Sequence, residues 1–218
     1  MRKSVLATCA IALAIATGAP ASAALVFTEA MSAPNSTADW WEITNTGPTA
    51  VNLTGYKFDD NSFALANAVA LVGVTSINVG ESVVFLESSD PGVDVPAFRN
   101  YWTGSTTGLA GVQIGTYTGS GVSLSGTSGD GLILYDAGGA IAAGPVNFPS
   151  AAGADLGKSF DAFNPNFHRS QVGVFGAFAA SGSPSDIGSP GTPPVPEPAT
   201  IALISLGFMS LLGVRRSR

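Results

Sequence analysis

The residues able to carry chemistry in this sequence are few. One histidine, His168, and one cysteine, Cys9, stand in 218 residues. A conventional zinc cluster needs several Cys or His donors, and a Ser-His-Asp triad would have to use His168 alone. No Gly-x-Ser-x-Gly elbow is present to hold a nucleophilic serine. His168 sits among Asn, Pro and Arg and reads as a surface or loop residue. The stretch from Gly153 to Ser159 mimics a phosphate loop, but the pattern needs glycine at 152, where Ala152 stands.

Carboxylates are the remaining chemistry. Asp59-Asp60-Asn61, the pair Asp90 and Asp94, and Gly129-Asp130-Gly131 offer oxygen ligands of the kind that hold calcium weakly in extracellular domains. Asp59 and Asp60 point to opposite faces if a strand continues through them, so they act together only in a turn. The competing reading is solvated turn carboxylates, because turns enrich Asp without any metal. A hydrolase would have to use Glu42 or an Asp pair, and no glycosidase pair is assignable from one sequence. Phe98 and Trp102, four residues apart, suggest a short helix in a long loop. They read as a plug for one open end of the domain, against a carbohydrate-stacking platform as the sharper alternative. The inventory assigns no catalytic residue, metal or cofactor, and predicts a protein that is not an enzyme.

Charge narrows the partners. Segment 24–195 keeps only Lys57, Arg99, Lys158 and Arg169 against fourteen acidic residues, a net charge of −10. Such a surface repels phosphate backbones, which argues against nucleic acid. Cys9 lies in the N-terminal apolar stretch, so a mature chain starting after it carries no thiol. The order of Leu6-Ala7-Thr8-Cys9 is wrong for a lipoprotein leader, since the apolar run follows the cysteine.

The elements that must position these residues are strands. Gly 27, with many Ser, Thr and Asn and only 11% charged residues, indicates a turn-rich all-β domain. Leu25–Glu29 opens it, and Trp41–Asn45 alternates apolar with polar, the period of a half-buried strand. Val51-Asn52-Leu53-Thr54-Gly55 continues the alternation, whereas Tyr56 and Phe58 fall on the other parity, predicting a bulge near Gly55. Ser82–Glu87 has a continuous apolar centre and reads as a strand covered on both faces. Leu132–Asp136 and Ala140–Ala142 flank Gly138-Gly139, a tight-turn pair for a hairpin. Ser181 to Pro196, SGSPSDIGSPGTPPVP, reads as an extended spacer.

Both extremities are apolar. Met1-Arg2-Lys3 precedes an uncharged run, and Ala21-Ser22-Ala23 supplies small residues at −3 and −1 for cleavage after Ala23. An uncleaved N-terminal helix is the competing reading. At the other end, Val195-Pro196-Glu197-Pro198 is followed by uncharged Ala199–Val214 and then Arg215, Arg216 and Arg218. Sixteen residues span ~24 Å as a helix, slightly under the ~30 Å hydrocarbon core. The terminal arginines would stay cytoplasmic, leaving 24–194 outside.

This tail resembles the PEP-CTERM sorting signal of Gram-negative bacteria: Pro-Glu-Pro, a short apolar helix and an arginine cluster, in order, over 195–218. The resemblance implies recognition by an exosortase, cleavage near the motif and release to the surface, commonly alongside exopolysaccharide production. A permanent single-span anchor is the plainer alternative. A second resemblance rests on Asp39-Trp40-Trp41-Glu42-Ile43-Thr44-Asn45-Thr46-Gly47 and Val51-Asn52-Leu53-Thr54-Gly55-Tyr56-Lys57-Phe58-Asp59-Asp60. These look like the opening of the lamin tail domain family, and Val79-Gly80-Glu81 and Ser189-Pro190-Gly191 fit the same template. It implies a compact immunoglobulin-like β-sandwich, with no common catalytic residue.

The expected organisation is a signal peptide over 1–23, a β-sandwich ectodomain over 24–180, a spacer over 181–194 and a sorting signal over 195–218 with a transmembrane helix over 199–214. The expected role is structural or adhesive, at the cell surface or in the exopolysaccharide matrix; an extracellular glycan- or calcium-binding module is the alternative. Expected partners are signal peptidase and exosortase, the inner membrane transiently, and exopolysaccharide.

Overall fold

The computed structural model describes residues 25–32, 38–125, 128–151, 153–162 and 169–192. Ala21, Ala23, His168, Val195, Pro196, Glu197, Pro198, Arg215 and Arg216 lie outside them, as does the expected spanning segment 199–214. Among the described residues no helix is long and apolar enough to cross a membrane.

The strands are β1 (Leu25–Met31), β2 (Trp40–Asn45), β3 (Val51–Asn52), β4 (Lys57–Asp59), β5 (Val69–Ala70), β6 (Ser76–Ile77) and β7 (Ser82–Glu87). Helix α1 (Pro91–Thr103) follows, then β8 (Gln113–Tyr117), β9 (Asp130–Tyr135), β10 (Ile141–Phe148), β11 (Phe160–Asp161), β12 (Phe178–Ala179) and β13 (Ile187–Gly188). One sheet runs β11-β1-β2-β7-β8 and a second β10-β9-β4-β5. Two small ribbons, β3-β6 and β12-β13, complete the β structure among the described residues.

The two sheets face one another. Phe27, Trp41, Ile43, Val83, Phe85 and Tyr117 from the first meet Phe58, Leu132, Leu134 and Phe148 from the second in one core. Trp41 sits at its centre, stacked on Phe85 at 4.6 Å and tilted over Phe58 at 4.8 Å. The five-stranded sheet is also covered on its outer face. There Met31, Trp40, Val84 and Leu86 pack against Phe98, Tyr101 and Trp102 of α1. The continuous apolar run of β7 follows from this double coverage: Val83 and Phe85 face one core, Val84 and Leu86 the other.

Helix α1, at thirteen residues, extends well beyond the Phe98–Trp102 pair. Asp90 caps it by accepting the Gly92 N–H at 3.1 Å, Pro91 occupies its first turn, and Gly104 ends it in the left-handed region. It sits between β7 and β8, which pair in parallel. Parallel neighbours cannot be joined by a tight hairpin, so a crossover segment is required. Phe98 and Trp102 are therefore buried on the outer face of a sheet, 1% exposed each, and do not plug an open end. Nor do they form an exposed stacking platform.

Two further expectations change. Gly55, at φ +83°, belongs to a turn closed by the Tyr56 N–H on Leu53 O at 3.0 Å. The parity change there is a crossing from β3, which pairs with β6, to β4 in the other sheet, and no bulge within one strand is involved. Trp40–Asn45 is fully buried, because the polar side of its alternation is covered as well. The Gly138-Gly139 hairpin forms as expected between β9 and β10.

Candidate functional site: a carboxylate clamp beneath the C-terminal strap, and an acidic cleft

A bulge does occur, at Thr28. The β1–β2 register shifts between Phe27 and Glu29. A bulge puts two consecutive residues on one face. Phe27 and Ala30 face the inter-sheet core, while Thr28 and Glu29 both turn to the outer side. Register then aligns Glu29 with Glu42 on β2 and with Asp161 on β11. Three buried carboxylates thus lie in a row across three adjacent strands, at 1%, 0% and 4% exposure.

A strap carrying Ser159, Ser170, Ser189 and Gly191 closes over that row. Glu29 accepts the Ser189 N–H at 2.8 Å and the Ser189 hydroxyl at 2.9 Å, together with the hydroxyls of Ser159 and, at 3.3 Å, Ser170. Glu42 accepts the Thr28 hydroxyl and the Gly191 N–H, both at 2.5 Å. Ser189-Pro190-Gly191 so presents its two N–H groups to two glutamates, with the donor-less proline between them. Gly191 adopts φ +81°, a conformation that favours glycine. A Cβ on Gly188 would stand 2.9 Å from both Glu29 Oε1 and the Trp102 ring, so the strap closes this tightly only with glycine there.

Burial dominates the ionisation of this row. It raises the Glu29 carboxyl to about 7, against the hydrogen bonds from Ser159 and Ser189 that favour its charge. Burial also raises Glu42 well above the usual carboxylate range, and the neighbouring Glu29 adds to it. Glu42, the glutamate available to a hydrolase, is closed off beneath the strap. The expected spacer from 181 is therefore folded as far as Thr192: Ile187–Gly188 pairs with Phe178–Ala179, and the buried Asp186 accepts the Tyr101 hydroxyl at 2.5 Å.

A second polar site is open. A cleft of about 600 Å³ is lined by Asp39, Glu87, Asp94, Ser88 and Ser123, together with residues 118–120. Asp94 accepts the Ser88 hydroxyl at 2.6 Å, and the Ser123 hydroxyl lies 2.7 Å from Glu87 Oε2. Tyr117, at the end of β8, is buried, and its hydroxyl has no hydrogen-bond partner among the described residues; burial, Asp39 and Glu87 push it well above its ordinary pKa. Carboxylates and hydroxyls in this arrangement accept hydrogen bonds from a polyol or an amine. Among the described residues its lining has no aromatic ring.

The aspartate turns separate into individual tasks. Asp90 is the helix cap and Asp94 lines the cleft. Asp59 accepts the Ser62 hydroxyl at 2.8 Å and the Ala64 N–H at 2.6 Å, and Asp60 accepts the Ser62 N–H at 3.1 Å. Asp130 accepts the N–H groups of Asn61, Gly131 and Ser125. Among the described residues no three His, Cys, Asp or Glu side chains converge on a metal position. In the Gly153–Ser159 segment, Gly153–Asp155 form a 3₁₀ turn and Lys158 pairs with Asp155 at 3.2 Å.

Asn45 shows why the Asn-x-Gly pattern stands where it does: its side chain accepts the Gly47 N–H at 3.0 Å and donates to Thr49 O at 2.8 Å. A family model, the lamin tail domain, matches residues 18–145 and so includes this pattern. The chain belongs to the lamin tail domain family. The match covers more than half of the chain and ends within β10, so the strap of this lamin tail domain protein lies beyond it. A second model, the PEP-CTERM protein-sorting motif, matches residues 194–217 and so includes Val195, Pro196, Glu197, Pro198, Arg215 and Arg216. That motif implies processing by an exosortase and export to a surface or membrane-associated fate. No curated protein and no solved structure matches the chain.

The clamp was missed from sequence. Glu29 stood in the predicted first strand, yet a glutamate inside an apolar strand of a chain with four cations over 24–195 is itself a signal of burial with dedicated donors.

Proposed function

We propose that this lamin tail domain protein is a structural or adhesive component of the cell surface or exopolysaccharide matrix of a Gram-negative bacterium. Signal peptidase removes residues 1–23, the segment 199–214 holds the chain transiently in the inner membrane, and an exosortase cuts near Val195–Pro198. The observation that carries this reading is the sorting motif matched at 194–217, directly after a strap locked onto the domain. That order supports a division of labour: Ser189 and Gly191 are bonded into the domain, and the matched motif begins a few residues later at 194. The role is non-enzymatic, a reading supported by the enclosure of Glu42.

The test is fractionation of producing cells with and without their exosortase. The proposal expects protein at the surface or in the matrix of the first strain and full-length protein in the inner membrane of the second. Inner-membrane retention in both would refute it.

A second reading, glycan binding, is supported by the open cleft around Asp39, Glu87 and Asp94. Calorimetry with the host polysaccharide tests it, and absence of heat together with an unshifted melting temperature removes it.

A further inference from the structure

The last described residue, Thr192, lies beside an exposed apolar loop. Between Gln171 and Ala177 the backbone folds into tight turns: Val174 N–H donates to Gln171 O at 2.9 Å, Ala177 N–H to Val174 O at 3.0 Å and Gly173 N–H to Ala177 O at 2.8 Å. These turns hold Val172, Val174 and Phe175 outward, at 62%, 36% and 39% exposure. Phe175 has φ +48°, a conformation that a bulky side chain rarely adopts. An aromatic residue kept exposed on strained backbone points to a use for that side chain.

At its nearest described point, Thr192, the chain beside the loop is seven residues before the start of the segment 199–214. A Cβ on Gly176 would come within 3.0 Å of Thr192 O, so Thr192 rests against the loop. Seven residue steps lead from Thr192 to Ala199, and fully extended they reach at most about 25 Å. The headgroup layer takes up about 5–8 Å of that. With 199–214 in a bilayer, the loop is thus confined close to the lipid surface. Charge points the same way. Ser170–Ser185 contains no charged residue, whereas segment 24–195 as a whole carries −10. An anionic leaflet repels the acidic faces and leaves this one able to approach.

We propose that Val172, Val174 and Phe175 form a lipid-contacting surface, which dips into the headgroup–acyl boundary of the phospholipid bilayer holding the tail and fixes the orientation of the domain. This rests on the membrane role of 199–214 given under the proposed function. Orientation has a consequence. Gly191 packs on Val112, where a Cβ would meet Cγ2 at 2.3 Å, and Val112 precedes the first residue of β8. Glu87 and Tyr117 end β7 and β8 at the other end of the parallel pair, and the acidic cleft opens there. The cleft then faces away from the membrane, toward the matrix.

The experiment uses the full chain with Cys9→Ser, reconstituted in vesicles of phosphatidylcholine and phosphatidylglycerol. A fluorophore is attached at Val174→Cys or, as a control, at Val93→Cys. Val93 is 61% exposed in the first turn of α1, at the cleft end. Nitroxide lipids then report depth. The proposal expects quenching about threefold stronger at position 174 than at 93, as for a side chain at the acyl boundary. Equal quenching at both positions, in protein that resists alkaline extraction, overturns the lipid contact and leaves the anchor standing. Protein extracted by alkali overturns the anchor and the contact together. A label at 174 shielded only in proportion to protein density assigns the loop to a second copy, and that also overturns the proposal.

Discussion

Replacing Glu29 by glutamine removes the charge from the clamp and keeps its shape. Oε1 stays an acceptor for Ser189 N–H, Ser159 and Ser170, and the new amide donates to the Ser189 hydroxyl, 2.9 Å away, which reverses its role. The native carboxyl holds its proton up to about pH 7, against 4.5 when exposed in the unfolded chain. A raised folded-state value means that the contribution of this group is complete below pH 4.5 and is lost as pH rises through 7. Two and a half units correspond to about 3 kcal/mol. The raised value of Glu42 acts in the same direction. Urea unfolding of residues 24–192 at constant ionic strength, followed by the fluorescence of buried Trp40, Trp41 and Trp102, measures this. The native protein should be more stable at pH 5 than at pH 8 by about 3 kcal/mol or somewhat more. Glu29→Gln should match it at pH 5 and exceed it at pH 8. A flat native profile between pH 5 and 8, or an unchanged slope in the variant, would refute the buried-acid account of the clamp.

Other perturbations probe the covering layers. Trp102→Ala deletes the ring that meets Trp40 at 5.7 Å and Phe178 at 5.6 Å, and should cost about 3–5 kcal/mol in urea unfolding. The same variant should leave any heat of polysaccharide binding unchanged, because Trp102 is buried away from the cleft lining. Gly191→Ala forces a side chain into φ +81° and onto Val112, costing about 1–2 kcal/mol from the backbone alone. Faster proteolysis within 181–192 should accompany it, read by limited digestion and mass analysis.

Local pattern carried much of the fold. The apolar centre of β7 announced coverage on both faces, and Gly138-Gly139 announced the β9–β10 turn. Alternation in β2 was real but could not say that its polar side was covered too. The cover comes from α1 and from residues about 150 positions later in the chain, such as Gly191 on Glu42. Composition misled at 181–192, where Ser, Pro and Gly look like a linker. Those residue types serve here because a close strap needs small side chains and free N–H groups, and their partners are carboxylates that no local pattern displays. The parity change at Gly55 marks a crossing between sheets, which alternation alone does not distinguish from a bulge, while the bulge at Thr28 hides in an unbroken strand. The cleft was invisible because Asp39, Glu87, Asp94 and Ser123 meet only through the end-to-end placement of β2, β7, α1 and the loop after β8.

The most direct measurement is the intact mass of the protein recovered from the surface or matrix of the producing cell. An exported, sorted chain has lost residues 1–23 and everything beyond a cut near Val195–Pro198, with the strap through Thr192 still attached. A recovered chain that still ends at Arg218, or that still carries the N-terminal apolar run, contradicts the account.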